Sequence, residues 1–451
     1  MNWLDPYQIM VPVLLTPSNL NSVYSDIQVD IWLDLLKIPE FKTYPYPLAV
    51  GQNDQSLFFN VDSLQEEWRH KGKALLTAKV LKAYSSNIVN KISDTEFELE
   101  DASGFQDHDE ICVHDYDKTQ FEIATIQEVD GNVVRLIEPV SATTGTMSMT
   151  AKLFLQPATI VDTKLDPWKA FEYFEDFSSS SGTDNPNTVW WDPGGISSVE
   201  YIEGSIAKVN VGKGADTWDS VNKAPWFYTQ FDPNQDFIFE AKINATEIRS
   251  FYKHAGVGFI KSFETGYANK GYCGPYGARK THRFEADGYR GAEVSDPILA
   301  ESIQYLRLIK QGSTIEFYSS VDYETWIFID SYSFDGTVPS YWGVVGKSWS
   351  DVSYTLYIDW MRIKKYQEGL PTAMPLYSLK ETRQFTPTTE SKQVKIKFKE
   401  LKAVMGGRRP IKIKYGKLVH PATTEYLNIF NTIKNLKAKK IDINLDYASE
   451  V

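Results

Sequence analysis

Cysteine and histidine are scarce in this chain of 451 residues, which contains two cysteines and six histidines. Cys112 and Cys273 lie far apart and lack the CxxC or Cys/His spacing of a zinc site. The histidines are scattered and form neither an HExxH motif nor a His/Asp/Ser order. We therefore expect no disulfide framework, no structural metal and no cofactor, and we interpret both cysteines as buried small apolar residues.

Long hydrophobic runs and a basic leader are also missing. No segment approaches the roughly 20 apolar residues that a membrane-spanning helix needs, so we expect no membrane insertion. The first residues include a short apolar run, but Pro12 interrupts it and no basic segment precedes it, unlike a signal peptide. These observations predict synthesis in a cytoplasm.

Positive charge is in deficit, because the formal net charge is −12. Phosphate recognition requires clustered Lys and Arg, so we expect no nucleic-acid partner. Aromatic residues are abundant instead, at 14% of a chain that is 42% hydrophobic. Aromatic and β-branched residues favour strands, and the length predicts several domains, so the predicted class is mainly β and multidomain.

The chain is predicted to contain four regions. They are an N-terminal attachment region of mixed α/β structure (1–86), a small β-barrel (87–163), a β-sandwich (164–368), and a Pro-spaced linker with a basic α+β region (369–451). In the first region, DSLQEEWRHKGKALLTAKVLKAY has the pattern of a helix with an N-cap at Asp62 or Ser63, whereas SDIQVDIWLDLLKI fits a strand or a helix. In the last region, VKIKFKELKAV, PIKIKYGKLV and KIDINLDY predict strands, and TTEYLNIFNTIKNLKAKK predicts a helix.

The barrel region contains a hairpin signal at Asp130, Gly131 and Asn132, between two alternating runs. The segments TEFELEDASGFQDHDEICV and IATIQEVDGNVVRLIEPV resemble the small β modules of tailed-phage virion proteins. This resemblance implies a building block of a particle and no particular chemistry.

The sandwich region contains the meander QYLRLIKQGSTIEFYSSVDYETWIFI, in which apolar and polar residues alternate around a turn at Gln311 and Gly312. The succession of EDF, FIFEAKI, GVGF, this meander, GVVGKS and IDWMRI resembles concanavalin A-like jelly rolls, which occur beside glycosidases and in adhesins. Such domains usually have Gly where this chain has Tyr323, so we expect a wider turn or another left-handed residue there.

Catalytic carboxylates are not evident in the sandwich region. Glucan-cleaving enzymes of this fold need two acids that flank the scissile bond, usually alternating along one strand. The alternation of Asp442, Asn444 and Asp446 is suitable, but it lies outside the sandwich region. The acidic turn from Asp107 to Glu110 is interpreted as solvated. We therefore predict no catalytic residues and no enzymatic activity.

Aromatic residues supply the candidate binding site, because their faces can cover the C–H side of a sugar ring. The predicted glycan-binding residues are Trp190, Trp191, Tyr272, Tyr276, Arg279, Trp342 and Trp349. For those in loops, burial against a neighbouring subunit is an equal alternative. Trp326 and Trp360 alternate within strands and are predicted to be core.

The sequence thus predicts a structural component of a phage-like particle, located in the virion. Its outward-facing jelly roll is expected to bind cell-surface glycans or neighbouring subunits. The predicted partners are other virion proteins, copies of itself and host surface polysaccharide. The alternative is a polysaccharide-degrading enzyme or the carbohydrate-binding appendage of one. The basic C-terminal region fits a solvated face or a surface that docks onto an acidic partner.

Overall fold

The protein is described by a computed structural model that covers seventeen segments of the chain: 7–38, 48–62, 72–155, 164–179, 182–202, 206–217, 223–244, 246–249, 253–263, 270–277, 281–286, 289–295, 303–349, 351–384, 394–405, 411–419 and 438–450. The chain forms two compact units, Met1–Arg383 and Gln384–Val451. Nearly all regular structure is β, which confirms the predicted class. Among the described residues, no helix has the length and apolarity needed to cross a bilayer.

Twelve strands are found in the described residues of the N-terminal part of the first unit. Their bounds are β1 (Tyr7–Thr16), β2 (Tyr24–Asp34), β3 (Leu48–Gln52), β4 (Gln55–Ser56), β5 (Phe59–Asp62), β6 (Lys73–Ala83), β7 (Ser85–Ser93), β8 (Glu96–Leu99), β9 (Glu110–His114), β10 (Phe121–Asp130), β11 (Val133–Leu136) and β12 (Gly145–Leu155). The first part of β12 pairs with β7 and β9, which closes β7 to β12 into a barrel. The second part pairs with β1 and β3, so one long strand joins two sheets.

The barrel confirms the small β module predicted from the sequence. Its hairpin between β10 and β11 turns at Gly131, which has a φ of 60°. Glycine accepts this left-handed conformation without steric cost, which explains the strength of the sequence signal.

The helix predicted from Asp62 is wrong in the part that the structure describes. Lys73–Ala83 is strand β6, which pairs with β2 and β5. The adjacent residues Leu75 and Leu76 are both fully buried although they point to opposite faces. A strand covered on both faces loses its period-two pattern, so its apolar density is similar to that of a helix. Of the two alternatives for SDIQVDIWLDLLKI, strand β2 is found.

The described segments of the jelly roll contain the next fifteen strands. Their bounds are β13 (Tyr173–Glu175), β14 (Val189–Trp191), β15 (Ser198–Ile202), β16 (Ile206–Val211), β17 (Trp226–Gln230), β18 (Phe237–Asn244), β19 (Lys253–Ile260), β20 (Lys270–Tyr276), β21 (Thr281–Ala286), β22 (Tyr289–Ser295), β23 (Ile303–Gln311), β24 (Thr314–Ser320), β25 (Ile327–Ser333), β26 (Tyr341–Ser348) and β27 (Tyr354–Lys365). A short helix α1 (Pro167–Ala170) precedes them, and a 3-10 turn (Thr246–Arg249) follows β18.

These strands form two facing antiparallel layers. Sheet I has eight strands in the order β15-β16-β27-β18-β23-β24-β25, with β13 also on β27. Sheet II has seven strands in the order β14-β17-β26-β19-β20-β21-β22. The core between them contains Phe239 and Leu308 from sheet I and Val257 and Trp342 from sheet II. The concanavalin A-like sandwich expected from the sequence is therefore confirmed.

The meander confirms one turn and corrects another. Gly312, with a φ of 56°, connects β23 and β24 as predicted. At the second turn, Tyr323 itself adopts the left-handed conformation, with a φ of 62°, so no other residue replaces the usual glycine. Its N–H donates to Ser320 Oγ at 2.8 Å and its hydroxyl donates to buried Glu240 at 2.6 Å. These bonds hold a conformation that costs a non-glycine residue about 1–3 kcal/mol.

The chain returns to the N-terminal sheet after the jelly roll. Strand β28 (Thr372–Pro375) pairs antiparallel with β1 and parallel with β2, and a 3-10 turn (Tyr377–Leu379) and β29 (Glu381–Gln384) follow. The N-terminal hydrophobic cluster accordingly includes partly buried Leu370, Ala373 and Tyr377. The jelly roll is thus inserted between two strands that both pair with β1. The four-region division itself stays a prediction.

The second unit contains a three-stranded antiparallel sheet in the order β31-β30-β32. Its strands are β30 (Val394–Met405), β31 (Ile411–Val419) and β32 (Ala438–Glu450), which confirms the three strands predicted there. The helix predicted for TTEYLNIFNTIKNLKAKK, apart from its last three residues, lies outside the described residues.

Candidate functional site

The two outer faces of the jelly roll have different surroundings. Sheet I faces the N-terminal strands, where Arg362 Nη1 lies 2.9 Å from Asp62 and Lys364 Nζ lies 2.8 Å from Asp30. Leu75 of β6 packs in the same contact against Trp360 of β27. Since sheet I is covered in this way, sheet II presents the outer face that is turned away from the N-terminal strands.

Strand register places a continuous row of side chains on the outer face of sheet II. The row runs through Val189, Tyr228, Gly343, Gly258, Tyr272 and Glu285. The two glycines form its centre, so no side chain stands between the two ends. The face therefore has an aromatic half on β14, β17 and β26 and a charged half on β20 and β21.

The aromatic half forms a cleft of about 680 Å³. We call it the aromatic cleft, and its lining residues are Pro186, Asn187, Val189, Tyr228, Gln230, Phe231, Asp232, Pro233 and Tyr341. Its volume lies within the range of roughly 300–1,000 Å³ that is typical of small-ligand pockets. Strands β17 and β26 supply the two tyrosines, and the turns before β14 and after β17 supply the polar rim.

The rings of the cleft are packed at an angle to one another. Tyr228 and Tyr341 have ring centroids 5.6 Å apart and planes at 87°. Phe263, which follows β19 and is 38% exposed, packs on Tyr341 at 4.8 Å and 66°. Trp191 lies edge-on to Phe263 at 5.0 Å. This packing fixes the rings in place, because each is supported by its neighbours.

The polar rim offers both acceptors and donors. Asn187, Gln230 and Asp232 are exposed at its edge. The Asn234 N–H, which donates to Asp232, lowers the pKa of that carboxyl below its ordinary value. Burial raises the pKa of Tyr228, so its hydroxyl stays protonated. Aromatic faces beside amide, carboxylate and hydroxyl groups can bind the C–H faces and hydroxyls of a sugar.

The charged half of sheet II is a closed network. Lys347 Nζ lies 2.7 Å from Glu285 and 3.2 Å from Asp216, and the Tyr272 hydroxyl donates to Glu285 at 2.6 Å. Burial lowers the pKa of His254 to about 3, so this residue is neutral. Burial acts to raise the pKa of Glu285, but its electrostatic interactions with His254 and Lys347 lower it well below its ordinary value.

This network brings together an acid pair that the sequence does not reveal, because Asp216 and Glu285 are distant in the chain. Glu285 is 4% exposed, and Lys347 joins it to Asp216. The network therefore holds Asp216 on the sheet.

The structure separates the residues predicted to bind glycan. Trp342 is fully buried between the sheets and Trp190 packs against the same core, so neither faces a ligand. Tyr272 and Tyr276 are on the outer face but buried, at 2% and 7% exposure. Trp349 stacks on Tyr276 at 5.4 Å, far along the sheet from the cleft.

Among the predicted residues, Trp191 belongs to the ring group beside the aromatic cleft, and Arg279 lies outside the described residues. Trp360, predicted to be core, is buried, and Trp326 is partly buried against the same cluster. Tyr228, Gln230 and Tyr341 were not predicted from the sequence. The signal for the first two was PWFYTQF, in which alternation places them on the same face.

An acidic cluster also lies outside the cleft. Carboxylate oxygens of Glu175, Asp176 and Asp184 lie within 4.8 Å of one another. Glu175 already accepts from the N–H groups of Phe177 at 2.7 Å and Asn185 at 3.0 Å, so it fixes the loop that follows β13. Burial raises the pKa of Asp176. We assign no metal to this cluster.

Comparison with known proteins gives structural matches alone. No family model matches the chain. The search of curated proteins finds no match. Among solved structures, a GH43 protein mutant from Bacillus licheniformis matches at 13% identity with a TM-score of 0.35, covering 55% of this chain and 47% of that one. A GH43 protein of a xyloglucan locus of Bacteroides ovatus matches at 10% identity and 0.34, covering 63% and 53%.

A glycan-bound domain is also among the matches. The exoplasmic domain of VIP36, bound to Ca²⁺ and Man3GlcNAc, matches at 10% identity with a TM-score of 0.30, covering 40% of this chain and 85% of that one. The chain thus spans about half the length of the GH43 structures. These likenesses concern the sandwich fold and carry no assignment of activity.

The matches do correct one expectation. The sequence predicted that the chain is not an enzyme, whereas several of the matched structures are GH43 glycoside hydrolases. That negative prediction is wrong as a statement about this fold, and the correction supplies no catalytic residue in its place. None of the matched structures described here is named as a virion protein.

Proposed function

We propose that the protein binds carbohydrate through the aromatic cleft of its jelly roll, as the carbohydrate-binding part of a polysaccharide-active protein. The observation that carries this proposal is the position of the cleft. Tyr228 and Tyr341 lie on the face of sheet II that no strand in the described N-terminal segments covers, beside exposed Gln230 and Asp232. This combination of ring faces and hydroxyl-binding groups is typical of sugar sites.

A glycan array tests the proposal directly. The full chain should bind a defined subset of the array, and the variant Tyr228→Ala/Tyr341→Ala should lose that binding. Tyr116→Ala is the matched control, because Tyr116 is 63% exposed and lies in the barrel region. Equal binding by the double variant and the full chain contradicts the proposal.

Hydrolysis is measured on the same ligands. Each glycan that binds is incubated with the protein, and the new reducing ends are counted. Release of oligosaccharides assigns a reaction to the chain, and its site is then sought by substitution of carboxylates, beginning with Glu285→Gln.

Assembly with copies of itself or with other particle proteins is a further proposal from the sequence, as is a location in a virion. Exposed aromatic residues such as Phe263 are typical of a surface that contacts another molecule. Size-exclusion chromatography with light scattering tests self-assembly, and a monomer at all concentrations contradicts it.

A further inference from the structure

We propose that the aromatic cleft recognises the uncharged end of a glycan chain, and that it discriminates against internal segments and against acidic sugars. This inference rests on the proposed function and names its ligand class. It depends on the ring angles, on the two turns that flank the tyrosines, and on the charge of the lining.

The ring angles exclude a flat binding platform. Successive sugars of a flat, extended chain such as β-1,4-glucan can each lie flat on a ring only where the ring faces lie nearly in one plane. Here the planes of Tyr228 and Tyr341 meet at 87°, and Phe263 is inclined at 66° to Tyr341. Two sugars of one flat, extended chain cannot both lie flat on such rings, whereas one terminal sugar can lie on the exposed face of one of them.

Two turns flank the tyrosines. Pro186 and Asn187 line the cleft from the turn before β14, and Asp232 and Pro233 line it from the turn after β17. The prolines restrict the backbone of both turns. Polar groups thus reach the ligand from two sides, which suits the several free hydroxyls of a terminal sugar.

The charge of the lining selects against acidic sugars. Asp232 carries the one formal charge among the described lining residues. Its side chain accepts from the N–H of Asn234 at 3.0 Å and from Gln235 Nε2 at 3.4 Å, which favours the ionised form. A ligand carboxylate about 4 Å away is disfavoured about fivefold in water, while a neutral hydroxyl can donate to Asp232.

A length series tests end recognition. Disaccharides, tetrasaccharides and hexasaccharides of β-1,4-glucose, xylose and mannose are titrated into the full chain by calorimetry. End recognition predicts that one glycan molecule binds to each protein molecule. It also predicts that the affinity for one glycan molecule is the same from tetrasaccharide to hexasaccharide. If the affinity for one glycan molecule instead rises in proportion to its number of internal sugars, the inference is overturned and the proposed function is unaffected. No binding by any of these probes, or by any glycan on the array, contradicts the proposed function itself.

A charge variant tests the discrimination. The probe is hexagalacturonate, compared with the neutral hexasaccharide that binds best. Asp232→Asn should narrow the preference for the neutral probe about fivefold, since the amide keeps the acceptor for Asn234 and removes the charge. Asp130→Asn, in the exposed hairpin of the barrel, is the matched control. An unchanged preference in Asp232→Asn, or tighter binding of hexagalacturonate by the unmodified protein, overturns the charge argument.

Discussion

The two outer faces of the jelly roll differ in what packs against them. On sheet I, Arg362 and Glu240 are fully buried, and the N-terminal strands supply carboxylates opposite the cations. On sheet II, Tyr228 and Tyr341 are half-buried, and none of the described N-terminal strands lies opposite them. Ion pairs to the N-terminal strands therefore mark the covered outer face of sheet I, whereas the half-buried tyrosines of the aromatic cleft lie on the outer face of sheet II.

The largest effect is expected on stability, from a substitution in the buried charge network on the covered outer face of sheet I. Arg362→Ala removes the partner of Glu240, at 2.9 Å, and of Asp62, at 2.9 Å, within a buried contact. Removal of one member of a buried charge network typically costs about 3–5 kcal/mol, because it leaves uncompensated charge. Urea unfolding should show this loss in the free energy of unfolding.

The control for Arg362→Ala is Lys208→Ala, which breaks an ion pair with Glu200 on an exposed part of sheet I. Exposed pairs contribute little, so this variant should unfold like the unmodified protein. Equal losses in the two variants are incompatible with a special role for the buried contact.

The next effect is expected on glycan affinity, from a substitution on the outer face of sheet II. Tyr341→Ala removes one wall of the aromatic cleft and should weaken glycan binding by about 2 kcal/mol, as expected for an aromatic anchor in a binding site. Calorimetric titration with the best glycan of the array measures this change. Arg362→Ala should leave the affinity of the folded protein unchanged, so an equal loss of affinity in both variants refutes the separation of the two faces.

A smaller effect is expected from the hydroxyl of Tyr323. Tyr323→Phe removes its bonds to Glu240 at 2.6 Å and Arg362 at 2.7 Å while it keeps the ring. The loss should be about 1–3 kcal/mol, because buried charged groups lose a hydrogen-bond partner. Tyr318→Phe, whose hydroxyl bonds the partly buried Glu316, is the matched control and should cost less. Thermal unfolding of both variants compares them.

The smallest effect concerns pH. Burial acts to raise the pKa of Glu240, but Lys364, Arg307 and Arg362 lower it well below the ordinary 4.5. A depressed carboxyl pKa stabilises the fold above the unfolded value and loses this contribution as pH falls. The free energy of unfolding should therefore fall by about 1 kcal/mol over the first pH unit below 4.5 because of Glu240 alone.

Glu240→Gln isolates this contribution, because its unfolding free energy should depend less steeply on pH in that range. His254 also destabilises the fold as pH falls, between its ordinary 6.5 and the folded pKa of about 3, and it does so in both proteins. Parallel pH profiles for the two proteins contradict the role of Glu240.

The fold was predictable where local chemistry determines it. Gly131 and Gly312 at two-residue turns, with alternating runs on both sides, define hairpins that the structure contains. The prediction failed at β6, because tertiary contacts bury both of its faces and erase the alternation. It failed again at Tyr323, where buried charges from other strands hold a backbone conformation that the residue itself disfavours.

The site was less predictable than the fold. In the pairs Trp190/Trp191 and Tyr341/Trp342, neighbouring aromatic residues point to opposite faces of sheet II. The sequence cannot tell which member faces the core when both are large, so Trp342 was chosen and Tyr341 was missed. The position of the N-terminal strands decides which outer face is open, and no local pattern records that.

The insertion of the jelly roll has a consequence for the order in which the chain folds. Strand β1 lies between β12 and β28, and β28 begins at Thr372, so the N-terminal sheet acquires this inner partner only after the whole sandwich has been synthesised. Contacts of such sequence separation form slowly. On the ribosome, the closed barrel and then the sandwich can fold first, and β1 pairs with β28 only afterwards.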